Sequence, residues 1–175
     1  MGGRAAICVL AALLSCSNGS IAAADDTGGR EAFFTSEPYI VGNDHGGSVQ
    51  QRLKDVAALR ASGRSVEIRG LVCHSSCTML LGLEQVCVQP HTRFGFHGPS
   101  RNGAPLKMTE FEAVSQIIAA QYPPVLRQWY LDVARHSLDR LHVLSGAELI
   151  ARGVARDCDP VETASTAIKR HNDGG

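Results

Sequence analysis

The sequence has no excess of charge of either sign. Seventeen Lys and Arg stand against 17 Asp and Glu in 175 residues, which leaves no electrostatic basis for attraction to nucleic acid or to an anionic membrane surface. No run of Lys or Arg lies beside an aromatic cluster, so nucleic acid is not expected as a partner. A membrane-spanning run is also missing: the apolar stretch Ala5 to Leu14 is too short to cross a bilayer. There is no internal repeat, so a solenoid or propeller is not expected. The length allows one domain with a real hydrophobic core.

The N-terminus reads as an export signal. Met1 to Arg4 is short and positive, Ala5 to Leu14 is apolar, and Ala22-Ala23-Ala24 is a small-residue cleavage site, giving a signal peptide over 1–24. A second reading of this segment stays open. Leu13-Leu14-Ser15-Cys16 resembles a bacterial lipobox, and lipidation of Cys16 would tether the protein to a membrane. On either reading the protein is periplasmic or secreted, where disulfides persist. Four cysteines then remain in the mature chain: Cys73, Cys77, Cys87 and Cys158. Three pairings are possible. Cys73 with Cys77 would be a local bridge, and Cys87 with Cys158 would close a long loop. Cys-x3-Cys with one nearby His is a weak zinc pattern, so no metal and no other cofactor is expected.

Residues 25–37 are polar and aperiodic, a flexible arm. The domain spans 38–160, and 161–175 reads as a frayed tail. Tyr39-Ile40-Val41 is a short buried strand. Ser48 is an N-cap, Val49, Leu53, Val56 and Leu59 follow helical spacing, and Gly63 ends that helix. Val66-Glu67-Ile68 begins a strand that runs to Val72, and Ser75 to Leu83 reads as a buried helix. Val86 to Val88 and Phe94 to Phe96 are further strands, and Gly98 to Pro105 is a loop. Thr109 and Glu112 form the pattern of a capping box that opens a helix to Gln121. Pro123-Pro124 breaks it, a second helix covers Val125 to His136, and Ser145 with Glu148 caps a third. Strands alternating with helices predict an α/β domain with a mainly parallel sheet.

Three segments carry chemistry. Gly46-Gly47 lies between a strand and a helix, where glycines let backbone N–H groups approach a ligand. In Cys73-His74-Ser75-Ser76-Cys77, a serine opens a helix, among free N–H groups and the positive end of the helix dipole. His97 ends the strand Phe94-Gly95-Phe96, at the edge where α/β sheets bind ligands. Each segment has a plainer reading, as a tight turn, a helix cap or a surface histidine.

Their order is more specific. Glycine pair, helix, strand, serine at a helix start, strand and strand-end histidine resembles the proteolytic subunit of Clp protease and its crotonase-like superfamily. The resemblance is greater to secreted bacterial ClpP-like proteins, which carry Cys-x-Ser-x-Cys at the nucleophile, and it covers Tyr39 to Asp157. It implies stacked β-β-α units, with the N-terminal unit shortened here. It also implies Ser75 as nucleophile, His97 as general base, and the N–H groups of Gly47 and Ser76 as oxyanion hole. Ser76 is the alternative nucleophile. Asp139 is the candidate third member, with Asp132 behind it. The family places Ser-Pro before its glycine pair, where this chain has Asp44-His45. The function implied is a serine hydrolase, a protease or peptidase acting on peptide or protein substrates, with homo-oligomers possible in the family. The alternative is a catalytically inactive module that binds peptide or envelope partners. Acyl-thioester chemistry, the crotonase branch, fits export poorly.

Overall fold

The structure, a computed structural model, describes residues 37–160. The signal peptide, the lipobox with Cys16, nearly all of the arm and the tail 161–175 lie outside the described residues. No helix among the described residues is long and apolar enough to cross a membrane.

The described chain is an α/β fold. Strands β1 (Tyr39–Val41), β2 (Val66–Ile68), β4 (Val86–Val88) and β9 (Arg156–Asp157) form a four-stranded sheet in the order β1-β2-β4-β9. All its pairings are parallel, with Tyr39 beside Val66, Val66 beside Val86 and Cys87 beside Arg156. A second sheet has the order β3-β5-β8, from β3 (Val72–His74), β5 (Arg93–Phe96) and β8 (His142–Ser145). Here β3 and β5 run parallel, and β5 and β8 antiparallel.

The apolar run expected as one strand from Val66 to Val72 is therefore two. Val66 and Ile68 are fully buried in the first sheet, the chain bends at Arg69-Gly70-Leu71, and Val72 begins a strand of the second. The chain crosses in the same direction from β4 to β5. After β1, Asp44 makes the corresponding crossing as a single parallel bridge to Cys73.

Helix α1 (Val49–Ser62) follows that bridge. Ser48 Oγ accepts from Gln51 N at 3.3 Å, and Gly63 closes the helix in the left-handed region at φ 63°. Val56 and Leu59 are the fully buried residues of its inner face, each burial worth roughly 1.5–3 kcal/mol. Ser75–Gly82 is a 3-10 helix rather than an α-helix. It is buried nearly all round, with Cys77, Met79 and Leu80 at 0 % exposure, so packing sets its geometry against the poorer 3-10 hydrogen bonds.

Two further helices depart from the sequence expectation. Helix α2 (Met108–Ala119) starts before Thr109, with Lys107 as N-cap and no side-chain cap. The Thr109–Glu112 capping box does not form, because Thr109 already lies inside the helix. Helix α3 (Pro124–Asp132) begins at a proline, which suits the first turn, and breaks at Val133 before a separate 3-10 turn, Ala134–His136. The expected cap at Ser145 does form: Ser145 Oγ accepts from Glu148 N, and the Glu148 carboxylate accepts from Ser145 N, at the start of α4 (Gly146–Ala151).

Residues 98–105 contain a small hairpin of β6 (Ser100–Arg101) and β7 (Ala104–Pro105). Asn102 at φ 53° and Gly103 at φ 81° make its turn, the Asn-Gly pairing such hairpins favour.

Both disulfides are present, and they settle the pairing. Cys73 bonds Cys77 within the strand-to-helix turn, and Cys87 bonds Cys158 across a separation of 71 residues. The second ties β4 to the segment after β9, and a loop of that length contributes roughly 4 kcal/mol in the chain-entropy account.

Candidate active site

The site forms where the turn from β3 into the 3-10 helix meets the loop before α1. Ser75 stands first in the 3-10 helix with φ 55°. A left-handed backbone costs a non-glycine residue about 1–2 kcal/mol. Asn102 is the other non-glycine residue at positive φ among the described residues, and its tight hairpin turn explains it. Ser75 instead sits at the strand-to-helix turn bracketed by the Cys73–Cys77 disulfide. Strain of this kind at a strand-to-helix turn lifts a side chain out of the helix surface, as in the nucleophile elbow of hydrolases.

Several contacts hold Ser75 there. Its carbonyl accepts from Thr78 Oγ1 at 2.7 Å, and Thr78 Oγ1 also bonds Tyr122 OH at 2.7 Å. A carbonyl can only accept, so the single Thr78 proton goes to Ser75 and Tyr122 donates to Thr78. Burial pushes the Tyr122 hydroxyl well above the usual tyrosine range, which keeps it protonated as that donor. The Cys73–Cys77 bond brackets the turn.

Gly46 packs directly onto Ser75. A Cβ at position 46 would lie 2.6 Å from Ser75 Cβ, 2.7 Å from the His74 carbonyl and 3.1 Å from Ser76 N. Gly46 and Gly47 also have φ of 91° and 144°, so space and backbone call for glycine at 46 and backbone alone at 47. The glycine pair is thus part of the serine turn's surroundings and more than a tight turn.

Ser75, Gly47, Ser76 and His97 line one cavity of about 600 Å³. The β6–β7 hairpin and Glu110, Val114, Ile118 and Tyr122 also line it. Ser75 and His97 are half-buried. Ser76 is 4 % exposed, and its Oγ is shut away from solvent without a hydrogen-bond partner. Of the two adjacent serines, Ser75 is the one with an accessible side chain. Ser76 N lies in the first turn of its helix, where N–H groups have no partner within the helix.

His97 Nδ1 lies 2.7 Å from the Gly98 carbonyl. That oxygen accepts only, so Nδ1 carries the proton and Nε2 of the neutral ring is the free base. No hydrogen bond joins Ser75 Oγ to His97 among the described residues. Asp139 is exposed in a bend after the second 3-10 turn, and its carboxylate is not the partner of His97 Nδ1. Asp132 ends α3, is also exposed, and bonds Gln128. The position a triad carboxylate would fill is taken by a backbone carbonyl.

His74 lies beside the site. Its ring meets the His45 ring edge-on, with centroids 5.6 Å apart, and a Cβ on Gly95 would touch it at 2.7 Å. Burial holds its pKa below the usual histidine value, and repulsion from His45, Arg93 and His97 adds to that.

A second serine–histidine pair escaped sequence reasoning. Ser137 Oγ and His142 Nε2 are hydrogen-bonded at 2.9 Å. Ser137 is 8 % exposed, neither residue lines the cavity, and no linear pattern links them. Glu67, Cys87 and Cys158 cluster closely enough to resemble metal ligands. However, both sulfurs are spent in a disulfide and Glu67 bonds Arg69 at 2.5 Å, so no thiolate is on offer there.

Compared with family models and with curated proteins, the chain matches none of them.

Proposed function

We propose that this protein is a serine hydrolase, and within that class an exported ClpP-like protease or peptidase with Ser75 as nucleophile and His97 as general base. The observation that carries the reading is Ser75 itself. It is a non-glycine residue held at φ 55° at a strand-to-helix turn, opening onto the cavity that His97 also lines. The paired strands of the two sheets are consistent with stacked β-β-α units, and the two disulfides suit an oxidising compartment.

In this reading Ser75 Oγ attacks a substrate carbonyl while His97 Nε2 takes the hydroxyl proton. The carbonyl oxygen becomes an oxyanion facing the N–H groups of Gly47 and Ser76. His97 returns the proton to the leaving group, the acyl group stays on Ser75, and water then releases it by the same steps. The Gly98 carbonyl keeps His97 in the required tautomer. Being neutral, it adds less stabilisation to the imidazolium than a carboxylate would, so slow turnover is expected.

A second reading is an inactive module that binds peptide in this cavity. Its support is the missing hydrogen bond between Ser75 Oγ and His97. A fluorophosphonate probe separates the two: the hydrolase reading expects labelling of wild type and none of Ser75→Ala with its Tm retained. Equal labelling of both would remove Ser75 from the role, and no labelling of wild type would favour the binding module.

A further inference from the structure

We infer that Asp44 is a positioning residue that holds the Gly46-Gly47 loop with one N–H occupied and the next one free, an inference that rests on the reading of Gly47 N–H as an oxyanion donor. Every polar group of Asp44 is committed. Its backbone N donates to the Val72 carbonyl at 3.0 Å, and its carbonyl accepts from His74 N at 2.8 Å. Those bonds fasten it to β3, the strand that delivers Ser75. Carboxylate Oδ1 accepts from Gly46 N at 2.8 Å, and Oδ2 accepts from Arg52 Nη2 at 2.5 Å. Arg52 belongs to α1, so one side chain joins strand, glycine loop and helix.

The consequence concerns the next peptide. Gly46 N–H is taken by Asp44, and no protein group accepts from Gly47 N among the described residues, while Gly47 lines the cavity. Two consecutive glycines at positive φ are intrinsically mobile. An oxyanion donor is useful only if it is aimed before the charge develops. The Asp44–Arg52 pair supplies that constraint, and its low exposure (21 % and 12 % of the side chains) shields it from screening. The Oδ1 bond to Gly46 N–H is an Asx turn, and the Arg52 pair ties the same carboxylate to α1.

The test uses the full mature chain with an activated phenyl ester and, in parallel, 15N relaxation of the Gly46 and Gly47 amides. Asp44→Ala is expected to lower kcat about 10- to 100-fold with KM within about twofold, since an oxyanion exists only in the transition state. Its loss should stay below the ~10²–10³ of deleting a donor outright. In the same variant the Gly47 order parameter should fall from about 0.85 to below about 0.6. Asp44→Asn keeps an acceptor for Gly46 N–H but loses the charge pair. It should lie between wild type and Asp44→Ala on both readouts, and it serves as the test variant if Asp44→Ala fails to fold. Unchanged order parameters in the variants would overturn the inference, as would a raised KM with kcat intact. If wild type neither hydrolyses the ester nor takes a fluorophosphonate, the hydrolase reading fails, and the amide order parameters still decide whether Asp44 holds the loop.

Discussion

Two serine–histidine pairs among the described residues differ in an instructive way. Ser137 and His142 have the hydrogen bond, at 2.9 Å. Ser75 and His97 lack it but share a cavity, a strained backbone and an adjoining glycine pair. A hydrogen bond between serine and imidazole satisfies two polar groups, which is what buried polar groups require anywhere. Nucleophilic catalysis asks for more: an accessible hydroxyl, room for a carbonyl, and donors where its oxygen will carry charge. The first pair satisfies its polar groups away from any cavity, and the second has the surroundings on which the proposed hydrolase reading rests.

That contrast breaks most sharply at Gly46. Gly46→Ala places a Cβ 2.6 Å from Ser75 Cβ at φ 91°. Overpacking and backbone strain together should cost about 2–4 kcal/mol, seen as a lower midpoint in urea, and should displace Ser75 enough to suppress fluorophosphonate labelling. Gly103→Ala is the control. It also has a positive φ, 81°, but nothing within 4 Å, so only strain of about 1 kcal/mol should appear and labelling should persist.

Smaller effects sharpen the same comparison. Ser137→Ala should cost about 1 kcal/mol, one net hydrogen bond, and leave labelling at the wild-type rate. Ser75→Gly should do the reverse: labelling vanishes, and stability rises by about 0.5–1 kcal/mol as the left-handed strain is relieved against glycine's greater freedom in the unfolded chain. If Ser75 is the proposed nucleophile, a stability gain from deleting it is the expected trade.

The pH dependence follows from His74. Its folded pKa lies below the unfolded value of 6.5, so the unfolded chain binds more protons as acidity increases. The stability it contributes is complete above 6.5 and is lost as the pH falls from there through the folded value. The titratable and charged groups facing it are His45, His97 and Arg93, and a positive charge on any of them opposes a proton there. His74→Phe should flatten the fall in urea midpoint between pH 7 and 5, and a parallel fall in wild type and variant would contradict this.

Much of the framework was legible along the chain. Tyr39–Val41, Val86–Val88 and α1 with its Ser48 and Gly63 caps appear within a residue of their expected places, because apolar runs and caps are local signals; but Tyr39–Val41, expected to be buried, is an edge strand with Tyr39 and Ile40 exposed and Val41 alone buried. The two-residue strands β6, β7 and β9 were not, since they have no period to read and exist through their partners. The single strand expected from Val66 to Val72 failed for a related reason: the apolar pattern continues across Gly70 while the sheet changes. At the site, the order of the segments and the family resemblance it carries point to Ser75, His97 and Gly47, and these residues line one cavity. The strain at Ser75, the Asp44 bond to Gly46 two residues on and the Gly98 carbonyl beside His97 are local, yet they were invisible, because residue order does not encode backbone angles or the way a side chain turns. Asp139 was chosen by its place in the chain, which says nothing of which way a bend turns its carboxylate.

The most direct test is to locate the adduct. Wild type, Ser75→Ala and Ser137→Ala are treated with a fluorophosphonate, digested and mapped by mass spectrometry. One adduct is expected, on Ser75, present in wild type and in Ser137→Ala and absent from Ser75→Ala. An adduct on Ser137 or Ser76, or none in wild type, would contradict it.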